Sequence, residues 1–311
     1  MLNGFEIVQW RVADWRSFPL VEGETVLWWL GQAGFAVRHG NRKFLIDPYL
    51  SDSLARKYAG TKYPHLRMMP PPVAPEQVAD IDWVFCTHSH TDHMDPDTLS
   101  VIARNPGCCF IVPRAVVDHA VKIAGLEPDR VITVDAGETL ELGGGISVAV
   151  VPSAHEDLKV NGRGEHFYVG YVIRLNGLSF YHAGDCVPYE GHRRWLSGVG
   201  PVDLALLAAN GRDAERTAGG IPGNFTIDEV LELAAECSFP QVIVHHFGMF
   251  DFNTVDPQLL WRKIKAAGQE LNVIVPIVNQ AYHWRIRGFA HGEPQHVARM
   301  VPPLRSMQES T

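Results

Sequence analysis

The sequence predicts an α/β protein in which two β-sheets pack face to face with helices outside. Short β-rich runs alternate with helical segments along the whole chain, and the second half repeats the order of the first. No Gly/Ser-rich or charged linker divides the chain, so residues 1–311 read as one domain, with a Pro-containing polar surface tail at 288–311.

In chain order, β-rich runs at 25–30, 35–38 and 43–46 form a meander through the turns Gly31-Gln32-Ala33-Gly34 and His39-Gly40-Asn41. Residues 47–80 lose all periodicity and include Met68-Met69-Pro70-Pro71-Pro72, which reads as a binding loop or lid. A buried strand at 83–86 is followed by a helical start near Asp95-Pro96. A strand at 110–113, a helix at 115–125 and a strand at 131–134 complete a β-α-β-α-β stretch. The second half offers strands at 139–142, 146–151, 169–175, 179–182 and 203–207. Thr226 caps a helix at 227–237, with Glu229 three residues on. A strand at 241–245, a helix at 257–267 and a final strand at 272–278 follow.

Composition excludes several classes. The formal net charge of −8, from 27 basic and 35 acidic residues, argues against a broad nucleic-acid or anionic-lipid footprint. Residues 1–14 lack the apolar run of a signal peptide, and no stretch reaches the ~18 apolar residues of a membrane span. Five cysteines, odd in number and without C-x-x-C spacing, fit a reducing compartment, so the expected location is the cytoplasm. The expected partner is a small-molecule substrate rather than nucleic acid or membrane, with self-association left open.

The chemistry concentrates in Thr87-His88-Ser89-His90-Thr91-Asp92-His93, directly after an apolar strand. Three imidazoles and a carboxylate within six residues form a metal cluster. This donor type suits Zn²⁺, Mn²⁺ or Fe, and the absence of Cys argues against a closed structural zinc site. Later strand ends supply more donors: His155, Asp185, and either His245 or His246. Asp185 follows Gly184, which permits close backbone approach and suits a bridging carboxylate.

The H-x-H-x-D-H run, the later His, the Gly-Asp and the final His resemble the metallo-β-lactamase superfamily. Within it, several motifs resemble the branch of L-ascorbate-6-phosphate lactonase. They are Trp28-Trp29-Leu30-Gly31-Gln32-Ala33-Gly34, Asp47-Pro48-Tyr49-Leu50-Ser51, Tyr181-His182-Ala183-Gly184-Asp185, Pro222-Gly223-Asn224-Phe225, His246-Phe247-Gly248-Met249-Phe250 and Asn253-Thr254-Val255-Asp256-Pro257. The resemblance covers roughly residues 26–286 and departs from the branch between Ala154 and His166.

The resemblance implies a four-layer αββα sandwich of two mixed sheets with a two-metal site at one edge. It implies that His88, His90 and His155 hold one divalent ion and Asp92, His93 and His246 a second, with Asp185 bridging. His246 is preferred to His245 because of its spacing to Phe247 and Phe250. The two ions, Zn or Mn ahead of Fe, would activate a water for attack, with Asp92 or Asp185 passing the proton. The implied activity is hydrolysis of a small anionic sugar lactone or related ester. The alternative is a phosphodiesterase acting on a small or cyclic nucleotide or other phosphodiester. A di-iron electron-transfer or oxygen-reducing protein is a rival outside hydrolysis, disfavoured because neither a flavin-binding domain nor a carboxylate-richer ligand set is in evidence.

Four further residues are candidates for substrate contact. Arg212, after an apolar strand end, could grip an anionic group with its fork. His182 could orient a ligand or pack in the strand, and Tyr189 and Arg67 could reach in from loops. Of Trp28 and Trp29, alternation lets at most one face the site. Asp47, Asp135 and Glu138 read as turn and cap groups, and Cys86 and Cys186 as small buried residues.

Overall fold

The computed structural model describes residues 5–270 and 272–285; the expected tail at 288–311 lies outside them. The strands are β1 (Phe5–Val8), β2 (Thr25–Gly31), β3 (Gly34–His39), β4 (Arg42–Ile46), β5 (Trp83–Phe85), β6 (Cys109–Pro113) and β7 (Val131–Val134), then β8 (Thr139–Gly143), β9 (Ile146–Pro152), β10 (Val169–Leu175), β11 (Leu178–His182), β12 (Leu204–Ala208), β13 (Gln241–His245), β14 (Val273–Ile274) and β15 (Ala281–Trp284). The helices are α1 (Ser53–Lys57), α2 (Pro96–Ile102), α3 (Val117–Ala124), α4 (His192–Val199), α5 (Ala214–Ala218), α6 (Ile227–Glu236) and α7 (Pro257–Ala266).

One sheet runs β1-β15-β2-β3-β4-β5-β6-β7 and the other β14-β13-β12-β11-β10-β9-β8. Each has an antiparallel part joined to a parallel part. β1 through β4 pair antiparallel by way of β15, and β4 to β7 pair parallel. In the second sheet β8 to β11 are antiparallel and β11 to β14 parallel. This is the arrangement of two mixed sheets with helices that the resemblance implies.

Alternation along the strands builds the layers. Leu27, Trp29, Phe35, Val37, Phe44 and Ile46 share one apolar cluster with Val148, Val150, Tyr171 and Phe180 of the second sheet. The intervening Val26, Trp28, Ala36 and Leu45 belong to another cluster with Leu99 and Ile102 of α2 and Ala120 and Ala124 of α3. Trp28 and Trp29 are therefore both buried, on opposite faces. Each fully buried Val, Leu, Ile or Phe side chain among these stabilises the fold by ~1.5–3 kcal/mol relative to exposure.

Helix starts follow local chemistry. Asp95 caps α2 through Asp97 N–H with Pro96 in the first turn, Thr226 and Glu229 form a capping box on α6, and Asp256 caps α7. The chain departs from expectation after β13. The strand expected at 272–278 is only Val273–Ile274, because Pro276 has no N–H to continue the ladder. The chain then turns at Asn279, whose N–H donates to the Trp29 carbonyl, and adds β15 to the first sheet between β1 and β2. Strand β1 and helices α1, α4 and α5 were likewise not expected.

Candidate metal centre

Strands β5, β9, β11 and β13 end at the residues in question, so their C-terminal loops bring these side chains together. After β5, Cys86 O accepts the Tyr171 hydroxyl at 2.7 Å and Thr87 O accepts Val169 N–H at 3.1 Å. The turn from His90 to Met94 is closed by His93 N–H and Met94 N–H donating to His90 O. This folds His93 back onto His88, with ring centroids 4.0 Å apart.

Two imidazoles are oriented from one carboxylate. Fully buried Asp47 accepts Thr87 N–H at 2.7 Å, Thr87 Oγ1–H at 2.6 Å and His93 Nδ1–H at 2.7 Å. Thr87 Oγ1, having donated to Asp47, accepts from His88 Nδ1 at 3.0 Å. Both rings thus carry their proton on Nδ1 and turn the Nε2 lone pair outward. His88 Nε2 and His93 Nε2 are buried and lack any hydrogen-bond partner.

Asp185 meets these lone pairs from β11. Its Oδ1 lies 3.2 Å from His93 Nε2, and its Oδ2 lies 3.0 Å from His246 Nε2 and 3.5 Å from His155 Nε2. Ser153 Oγ donates toward Ala183 O and Asp185 O, both at 2.9 Å, tying the loop of His155 to that of Asp185. Asp92 approaches from the other side, its Oδ2 3.6 Å from His246 Nε2 and 3.7 Å from His93 Nε2. Gln32 Nε2 donates to Asp92 at 2.8 Å and lies 3.2 Å from His246 Nε2.

The donors fall into three overlapping groups, with ligand atoms in each within 4.8 Å of one another: His88, His90 and His155; His88, His93 and Asp185; Asp92, His93 and His246. His246 is in this cluster, whereas His245 stacks on His182 with centroids 5.0 Å apart and meets the edge of Phe35. Backbone strain gathers here. Asp47, Gln32 and His246 all have left-handed φ, at 43°, 50° and 65°, a conformation costing a non-glycine residue about 1–2 kcal/mol.

The electrostatics call for positive charge. Burial by itself would raise the carboxyls of Asp92 and Asp185, but His93 and His246 outweigh it and hold both below the usual carboxylate range. Burial would lower His246, yet Asp185 and Asp92 push it up to about 9; His93 is raised well above its ordinary value by Asp185, Asp47 and Asp92 against the same burial. His88 and His90 move the other way, lowered first by burial and then by neighbouring histidines, His90 to about 4. His88 and His90 are thus neutral donors, while the protons that His93 and His246 hold against burial stand in for the positive charge that a divalent cation would supply on displacing them. Orphaned buried lone pairs, preset tautomers and uncompensated carboxylates all fit a metal.

The substrate-contact candidates are engaged by partners within the protein. Arg212 grips Glu229, with NH1–Oε2 at 2.7 Å and NH2–Oε1 at 2.5 Å, and donates to Asn224 O, because the α6 capping carboxylate is its nearest anion. His182 is fully buried, with Nε2–H on Ala33 O and Nδ1 accepting Gly184 N–H, so it holds the Asp185 turn instead of a substrate. The Tyr189 hydroxyl donates to Pro152 O at 2.7 Å, anchoring the strand before His155. Arg67 lies over the Tyr49 ring and donates to the carbonyls of Tyr49, Ser51 and Met69, bracing the loop after Asp47.

Four site residues escaped sequence reasoning. Asp47 read as a turn residue, although its place directly after a buried strand was a signal. Gln32, inside the Gly31-Gly34 turn, and Thr87 carried little more. Tyr168 gave none; its ring centroid lies 5.1 Å from His88, 5.9 Å from His90 and 5.1 Å from His155.

Residues 42–247 match the family model described as "Beta-lactamase superfamily domain". A "UPF0173 metal-dependent hydrolase" of Aeropyrum pernix is 28% identical over 252 residues, covering 77% of this chain and 89% of its own. Among solved structures, an isothiocyanate hydrolase from Delia radicum gut bacteria superposes with a TM-score of 0.67 at 18% identity, over 83% of this chain and 98% of that one. The metallo hydrolase Igni18 of Ignicoccus hospitalis superposes at 0.63 with 21% identity, over 85% of this chain and all (100%) of that one.

Proposed function

We propose that this chain, which belongs to the beta-lactamase superfamily and is a metal-dependent hydrolase, holds two divalent ions and hydrolyses a small lactone or related ester. His88, His90 and His155 would hold one ion, Asp92, His93 and His246 the other, with Asp185 shared. When bound, such ions, Zn²⁺ or Mn²⁺, supply a Lewis acid and a water of lowered pKa. The observation that carries the reading is the convergence of His88 Nε2, His93 Nε2 and Asp185 Oδ1, all buried and without hydrogen-bond partners.

The protein's own part is positioning and proton handling. Asp47 and Thr87 fix two imidazole tautomers, and Gln32 holds Asp92 toward His246. The carboxylates in reach, Asp92 or Asp185, would take the proton of the attacking water and return it to the leaving oxygen. Arg212, paired with Glu229, lends no support to a grip by that side chain on an anionic substrate group.

The L-ascorbate-6-phosphate lactonase-like motifs favour a cyclic ester over a phosphodiester, and a small molecule over nucleic acid or lipid. No helix among the described residues is long and apolar enough to cross a membrane, and all five cysteines are free, which supports a reducing compartment such as the cytoplasm. The test is a panel of lactones, phosphodiesters and thioesters offered to Zn²⁺- and Mn²⁺-loaded protein. Lactone turnover that disappears on chelation supports the reading; phosphodiester turnover alone replaces it with the phosphodiesterase alternative.

A further inference from the structure

We propose that Tyr168 donates a hydrogen bond to the substrate oxygen that binds over His88, His90 and His155, making it a catalytic residue that lies outside every metal-ligand motif. The inference rests on the metal-site reading above and adds to it the group that stabilises negative charge on the reacting carbonyl.

Tyr168 is held by its main chain to both loops that carry these histidines. Its carbonyl accepts Ser153 N–H at 3.1 Å, next to the His155 loop, and the following Val169 N–H donates to Thr87 O at 3.1 Å, next to His88. The ring is tilted by 49° to His88 and 43° to His155 and is edge-on to His90 at 67°, so it covers one side of that histidine trio.

Tyr171, Tyr189 and Tyr181 spend their hydroxyls inside the protein, on Cys86 O, on Pro152 O and beside His192 Nε2, while that of Tyr49 is buried without a partner. Tyr168 is only half-buried, and no hydrogen bond ties its hydroxyl to any of the described residues. A phenol titrates at about pH 10 in its ordinary range, so at neutral pH the hydroxyl carries its proton and is a donor. A rigid, uncommitted donor at the edge of a desolvated site is what a developing oxyanion requires, and the phenol keeps its proton throughout.

The test needs no knowledge of the substrate. Protein loaded with Co²⁺ is titrated with inorganic phosphate, an oxyanion probe, and the change in the cobalt visible absorption gives Kd. Tyr168→Phe keeps the ring and removes the donor. It is expected to bind phosphate about tenfold to hundredfold more weakly, the worth of one hydrogen bond to a charged acceptor, with cobalt stoichiometry and Tm unchanged. Equal affinity in the two proteins, or no phosphate binding by the cobalt-loaded wild type, overturns the inference while leaving the metal site intact. Failure of the wild type to take up cobalt overturns the metal-site reading and this inference with it.

Discussion

His93 Nδ1 donates to Asp47 Oδ2 at 2.7 Å, and both side chains are fully buried. This contact decides which nitrogen of His93 can face a metal, and through Thr87 the same carboxylate decides it for His88. A strand-end Asp outside the three donor groups thereby controls the two central imidazoles.

Asp47→Ala leaves Thr87 N–H, Thr87 Oγ1–H and His93 Nδ1–H without their acceptor. Metal affinity is expected to fall about 10–100-fold, the usual cost of losing an orienting partner. Dialysis against graded chelator, read by elemental analysis, measures it. Affinity within twofold of wild type would show that the tautomers are set by something else.

Gly184 lets the Asp185 loop approach the His88 loop. A Cβ there would lie 2.9 Å from Thr87 Cβ and 3.0 Å from Thr87 Oγ1, at a φ of +63°. Left-handed strain and overpacking together predict a loss of about 2–5 kcal/mol for Gly184→Ala. Urea unfolding of the metal-loaded protein checks this; an unchanged midpoint would mean that Thr87 yields freely.

Arg212 is paired with Glu229, the capping carboxylate of α6. Its side chain is 36% exposed, so Arg212→Gln is expected to cost only about 0.5–1 kcal/mol and to leave KM for anionic and neutral substrates unchanged. A KM that rises selectively for the anionic compound would return Arg212 to the site.

His192 gives the fold a defined acid sensitivity away from the metals. Its ring lies between Tyr189 and Phe225, with centroids 4.4 and 6.1 Å away, and burial lowers its pKa from 6.5 to about 4. Above pH 6.5 both folded and unfolded states hold it neutral. As pH falls from there toward 4, the unfolded chain takes up the proton first, so stability is lost across that window. Between pH 7.5 and 5.0 the loss from this group is about 2 kcal/mol. His192→Phe keeps the stack and should lose that much less over the same interval in urea unfolding; equal losses in the two proteins would remove His192 as the cause.

What could be read from the sequence was whatever local chemistry dictates. The strand before His88, the cap at Thr226 and the approach allowed by Gly184 each depend on near neighbours in the chain. The relationships that escaped are long-range or competitive. Strand β15 exists because Ala281 pairs with Trp28 across the chain, and nothing in Ala281-Tyr282-His283-Trp284 declares that partner. Asp47 resembles any Asp-Pro turn until Thr87 and His93 fold over it. Arg212 pointed to a substrate only while Glu229 was counted solely as a capping residue, and the same carboxylate fills both roles.

The central claim is that Asp185 and the histidines around it hold divalent metal. Elemental analysis of the purified, folded protein beside its Asp185→Ala variant tests it most directly. The account predicts two divalent ions per chain in the wild type, a clear loss in the variant, and hydrolysis that chelation abolishes and metal restores. A folded wild-type protein with no bound metal and full turnover in excess chelator would contradict it.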